Sequence, residues 1–117
     1  MLLRDKDEQE LMRVFAGIKT PIEIWAYGSR VRGKAHNGSD LDLVLRTYNL
    51  KPLSGNEFSN ICEKITESNV TIFVELRDWA TLPVSFHKNI LQNYEVLFSS
   101  LPTALNEPEV FYDKDIK

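Results

Sequence analysis

The stretch "GSRVRGKAHNGSDLDLVL", residues 28–45, decides how this chain is read. Its end alternates like a half-buried strand: Leu41, Leu43 and Leu45 take one face, Asp40 and Asp42 the other. Residues two apart on a strand point the same way, roughly 6.6 Å apart along it, so the two carboxylates stand side by side. Desolvating one ionised carboxylate is costly, and a second beside it adds repulsion. A purely structural sequence would avoid that arrangement or neutralise it nearby.

Upstream, "IEIWAY" (Ile22 to Tyr27) alternates, is rich in strand formers and is stopped by Gly28. Ser29 to Lys34 reads as a short helix before a turn at Asn37-Gly38. Further back, Leu11, Val14, Phe15 and Ile18 recur at helical spacing, and that helix ends between Gly17 and Pro21. Downstream, Ser54 and Glu57 form a capping box ahead of a helix carrying Phe58, Ile61, Cys62 and Ile65. "VTIFVELRDW" (residues 70–79) is a third strand. Pro83 suits the first turn of a helix bearing Phe86, Ile90 and Tyr94, and "EVLF" (Glu95 to Phe98) is a short last strand. Helices and strands alternate, so the chain is α/β, a two-layer α+β arrangement with helices on one face of a small sheet. From Ser99 onward the periodicity stops, and residues 100–117 read as a tail, loosely packed or docked on a partner.

The whole chain sets the bounds. Its 117 residues suffice for one compact domain, and 43% hydrophobic with 26% charged residues is an ordinary globular balance. A net charge of −3 argues against a role resting on broad nucleic-acid binding. Cys62 is the single cysteine, so no intrachain disulfide forms and a reducing, cytoplasmic setting is expected; on a helix's apolar face it reads as core. No run approaches the roughly 18 apolar residues needed to cross a bilayer, and the N-terminus lacks a signal-peptide core.

On the third strand Glu75 and Arg77 share a face opposite Ile72, Val74 and Leu76. With strands two and three adjacent, Glu75 joins Asp40 and Asp42 on the helix-free face. Oxygen donors without cysteine or histidine suit Mg²⁺ or Mn²⁺, and the ion relieves their repulsion. A lone D-x-D is short and common, and two solvated aspartates would explain it. The balance shifts with Gly28-Ser29 at the end of the preceding strand: glycine permits close backbone approach, and a helix starting at Ser29 turns unpaired N–H groups toward a phosphate. Arg30, Arg32 and Lys34 add local positive charge, although each alone reads better as solvated. His36 and His87 read as ordinary surface residues. Trp25, Tyr27 and Trp79 suit aromatic packing better than base stacking.

Gly28-Ser29, ten residues, then Asp40-x-Asp42 resembles the G-S-x10-D-x-D signature of the DNA polymerase β-like nucleotidyltransferases. Over most of residues 11–98 the chain resembles their minimal nucleotidyltransferases, whose third strand usually reads V-D-L-x-D-W. Here Val74-Glu75-Leu76-Arg77-Asp78-Trp79 holds that place. The resemblance implies a mixed sheet flanked by helices, a nucleotidyltransferase domain over 1–99, and ATP bound through divalent metal. Gly28 and Ser29, with Arg30 beside them, would hold the nucleotide's phosphates. Asp40 and Asp42 would ligate metal, and Glu75 would be the third carboxylate, the one that helps activate the attacking hydroxyl. Glu in place of Asp moves that charge outward by roughly 1.5 Å. Asp78 faces away from Glu75, which suits a structural hydrogen bond. Minimal nucleotidyltransferases are commonly antitoxins that transfer AMP from ATP to a tyrosine of a helical HEPN RNase toxin, the partner the resemblance implies. The alternative is a degenerate fold that neutralises its partner by occlusion.

Overall fold

The computed structural model describes residues 1–33 and 39–102. Along the chain run α1 (Asp5–Ala16), β1 (Ile22–Tyr27), α2 (Ser29–Arg32), β2 (Leu41–Thr47), α3 (Gly55–Glu67), β3 (Val74–Asp78), a 3-10 turn (Trp79–Thr81), α4 (Val84–Gln92) and β4 (Tyr94–Ser99). The Asn37-Gly38 turn, Lys34, His36 and the tail from residue 103 lie outside the described residues.

The four strands lie in the order β3-β2-β1-β4. β1 is antiparallel to both neighbours, whereas β2 and β3 are parallel. A parallel pair cannot be joined by a hairpin, so α3 supplies the crossover. Its start is set as the sequence indicates, by Ser54 Oγ accepting from Glu57 N at 3.1 Å.

Strand alternation divides the sheet into two packed faces. Ile22, Ile24, Ala26, Leu41, Leu43 and Leu45 are fully buried under Leu11 and Phe15 of α1 and Ile61 and Ile65 of α3. The intervening Trp25, Tyr27 and Val44 gather with Trp79 and Ile90 into a second cluster. The mixed sheet with α1 and α3 on one face is therefore as expected, but the opposite face is not free of helix. α4 and the 3-10 turn cover its Trp25–Val44 part and stop short of the acidic end.

Three local expectations shift for identifiable reasons. β3 begins at Val74 instead of Val70. Asp7, buried on α1, accepts from Thr71 N at 2.9 Å and from Thr71 Oγ1 at 2.8 Å, which ties the approach to α1 and not to the sheet. Sheet contact starts where Leu41 N donates to Phe73 O at 2.9 Å. Tyr94 does not belong to α4: Asn93 turns to φ −162°, ending the helix, and Tyr94 opens β4 with its ring stacked on Trp25 at 4.0 Å between centroids. α2 is shorter than anticipated, closed by Gly33 at φ +78°. No helix of the described residues is long and apolar enough to cross a membrane.

Asp78 makes the structural contacts its spacing suggests. Its carboxylate accepts from Leu53 N at 3.0 Å and Ala80 N at 3.1 Å, joining the start of α3 to the end of β3. Asp78→Ala strands both donors in a buried place and should cost about 2–3 kcal/mol in urea unfolding. A loss below about 0.5 kcal/mol, the range of ordinary surface substitutions, would contradict this role.

Candidate active site

Register creates the site. Tyr27 pairs with Asp42 across β1 and β2, and Asp42 pairs with Glu75 across β2 and β3, so the three side chains form one row on one face. Asp40 lies just before β2, exposed, on the same side of the alternation. Directly after Tyr27 the chain turns at Gly28, with φ +88° and ψ −158°, a region open essentially to glycine alone. A Cβ there would stand 2.5 Å from Asp42 Oδ2, so the bare backbone of Gly28 is what leaves space for the Asp42 carboxylate. Gly28 O then accepts from Val31 N and Arg32 N, both at 3.1 Å, and launches α2 with Ser29 half-buried at its head.

Arg30 has a different place from the phosphate-side one the sequence suggests. Its buried guanidinium donates to Leu2 O at 2.6 Å and, through Nε and Nη2, to Ser39 O at 3.2 and 2.8 Å. It clamps the N-terminus to the approach of β2 and thereby fixes where Asp40 begins. Arg32 is exposed and bears on Asp42 electrostatically.

Two residues belong to the site that sequence reasoning did not assign to it, Arg77 and Tyr27. Arg77 Nη2 lies 2.8 Å from Glu75 Oε2, and its Nη1 lies 3.9 Å from Asp42 Oδ1. Nη1 also donates to the Tyr27 hydroxyl at 2.9 Å. The signal was present: Arg77 is two residues beyond Glu75 on the same strand, hence on the same face. Burial works against the charged guanidinium, but Tyr27, Glu75 and Asp42 outweigh it and hold Arg77 above its usual pKa. Asp42 is pushed above the usual carboxylate range, first by burial and then by Glu75 and Asp40, with Arg77 and Arg32 opposing. Burial raises the Tyr27 phenol too, against the pull of Arg77.

The three carboxylates do not close on a single point. Among the described residues no group of three His, Cys, Asp or Glu side chains stands close enough to hold an ion, and Glu75 pairs with Arg77. The donor chemistry of Asp40 and Asp42 nevertheless fits a hard divalent cation. Both offer oxygen, and Asp42 stands partly desolvated with Glu75 and Asp40 near it, where a bound cation would favour its charged form.

Beside the row, on the α4 side, Gly28, Arg32, Phe86, Asn89, Gln92 and Asn93 help line a cleft of about 270 Å³. Trp25 packs edge to face on Trp79 and stacks on Tyr94. Arg46 lies over Trp25 and Trp79, at 4.1 and 4.5 Å from the ring centroids. His87 is half-buried, not a surface residue: its ring stacks on Trp79 at 3.8 Å, with Nε2 2.7 Å from Trp79 O.

With this geometry in place, comparison gives the class. Residues 9–102 match the polymerase beta nucleotidyltransferase family, and the chain belongs to that family. It is 39% identical over 74 residues to the probable protein adenylyltransferase MntA of Haemophilus influenzae, a match spanning 63% of this chain and 63% of that protein. Its fold is similar to a chain in the crystal structure of a toxin–antitoxin with AMP-PNP, with a TM-score of 0.62 at 18% identity, covering 84% of this chain and 75% of the other. It is also similar to a chain in the complex of tri-AMPylated Shewanella oneidensis HEPN toxin with MNT antitoxin, with a TM-score of 0.64 at 15% identity, covering 97% and 84%. At these identities the two structural likenesses are likenesses of fold.

The contact between position 28 and Asp42 is directly testable. Gly28→Ala should cost about 3 kcal/mol or more, from backbone strain plus displacement of the carboxylate. In an Asp42→Ala background only the strain remains, about 1–2 kcal/mol. A double-mutant cycle in thermal unfolding should therefore show coupling of about 1 kcal/mol or more; simple additivity would contradict the packing described.

Proposed function

We propose that this protein is a metal-dependent adenylyltransferase that acts as an antitoxin, moving AMP from ATP to a tyrosine of a helical HEPN toxin in the cytoplasm. The observation that supports it most is the Asp42 carboxylate seated against the bare backbone of Gly28, in register with Glu75. That arrangement sets paired acids beside a turn a phosphate can approach. The Haemophilus relative and the complexes of like fold support the same reading.

In this proposal Asp40 and Asp42 hold Mg²⁺ or Mn²⁺. When bound, the ion supplies charge stabilisation at the α-phosphate and lowers the pKa of the attacking hydroxyl. Gly28 and Ser29 receive the β- and γ-phosphates through backbone N–H groups, and the cleft lined by Phe86 and Asn89 receives the nucleoside. Glu75 turns from Arg77 to accept the acceptor tyrosine's proton. The tyrosine oxygen bonds to the α-phosphorus as the bond to the β-phosphate oxygen breaks, and pyrophosphate departs over Ser29.

The close Glu75–Arg77 pair favours one second reading, a fold that neutralises its partner by occlusion without turnover. Single-turnover transfer of label from ATP to a HEPN partner separates the two. For the enzyme, Asp40→Asn and Glu75→Gln should each lose on the order of 10²-fold or more, while Glu75→Asp retains or improves the rate. Equal transfer by parent and Glu75→Gln removes Glu75 from catalysis. No transfer by the parent, with transfer gained in Glu75→Asp, establishes the occluding binder.

A further inference from the structure

Arg77 is more than an incidental neighbour of the acids. Its guanidinium spans Glu75 at 2.8 Å and Asp42 at 3.9 Å and is steadied by the Tyr27 hydroxyl at 2.9 Å. Its guanidinium carbon lies over the Phe86 ring, 5.4 Å from the centroid, so α4 helps hold it in this pose. A guanidinium is a planar fork of donors that stays charged, and it suits bridging two carboxylates. It also cannot share those carboxylates with a divalent cation at no cost. Arg77 is bonded to Glu75 and stands close to Asp42, so an ion at Asp42 would meet a second positive charge at close range where water is partly excluded.

We infer that Arg77, paired with Glu75 and standing 3.9 Å from Asp42, is a resident countercharge in the metal-free protein that opposes a divalent ion at Asp42, so that it weakens metal affinity when no nucleotide is present. The inference rests on the metal reading proposed above. It explains how an acidic row persists in the folded protein without an ion. It also makes nucleotide and metal cooperative: a triphosphate brings negative charge that offsets Arg77, whereas a bare ion meets it alone. Arg77 is in these terms a positioning residue, acting on the ion through the carboxylates.

The test is Mn²⁺ titration of the nucleotide-free protein, with free Mn²⁺ read by electron paramagnetic resonance, and repeated with AMP-PNP. Arg77→Met keeps length and removes charge, and it should tighten Mn²⁺ on the order of tenfold or more and flatten the gain given by AMP-PNP. Arg77→Lys keeps the charge and should stay near the parent. Should Arg77→Met fail to fold, Arg77→Gln, uncharged but still a donor for Tyr27 and Glu75, carries the same expectation. Unchanged or weaker Mn²⁺ binding in the uncharged variants, with clear binding by the parent, overturns the inference and leaves the metal reading standing. No Mn²⁺ binding by parent or variants, with or without AMP-PNP, overturns the metal reading and the inference with it.

Discussion

The carboxylate of Asp42 lies in the space a side chain at position 28 would need, and the rest of the site is arranged around that contact. It requires glycine at a positive φ, which in turn lets the chain leave β1 and start α2 within one residue. It requires β2 to pair with β1 so that Asp42 faces Tyr27, and β3 to lie parallel to β2 so that Glu75 falls beside Asp42. The crossover through α3 and the Asp78 contacts that join α3 to β3 fix that last register. Arg30 sets the approach from the other side by holding Ser39. A one-residue slip of β2 would send Asp42 into the apolar layer and Leu43 out of it, so the buried leucines enforce the position of the acid.

Much of this is legible in the sequence because the informative patterns are local. The alternation of Leu41, Leu43 and Leu45 against Asp40 and Asp42 is a period-2 signal within one strand, and Ser54 with Glu57 is a capping signal within one turn. What the sequence does not show depends on contacts distant in the chain. Val70 to Phe73 read as strand by composition, yet Asp7, 64 residues earlier than Thr71, draws that segment to α1. Tyr94 fits the apolar spacing of α4, but its ring gains more by stacking on Trp25 once Asn93 extends the backbone. Arg30 reads as a phosphate ligand because it follows Gly28-Ser29; the carbonyls of Leu2 and Ser39 that engage it have no sequence pattern. Alternation puts Arg77 on the face of Glu75, and only the pairing of β2 with β3 reveals that it also approaches Asp42.

The sheet also separates two tasks by face. One carries the apolar layer under α1 and α3, which holds the fold. The other carries the acids at one end and an aromatic cluster under α4 at the rest. α4 thus borders the site without covering it: Phe86 meets Tyr27 edge to face and supports Arg77, while Asn89 and Asn93 line the adjoining cleft. A row of acids at the margin of an aromatic layer is partly desolvated, which raises Asp42 and makes the local charge count consequential. In water the same residues would interact weakly.

The central claim is that Asp42, seated on Gly28, joins divalent metal to nucleotide. Calorimetric titration of AMP-PNP into the protein, with Mg²⁺ and with chelator, tests it most directly in the parent and Asp42→Asn. The account predicts binding in the parent that depends on Mg²⁺ and is lost in Asp42→Asn while the fold remains intact. Binding of equal strength with chelator, or undiminished in Asp42→Asn, would contradict it.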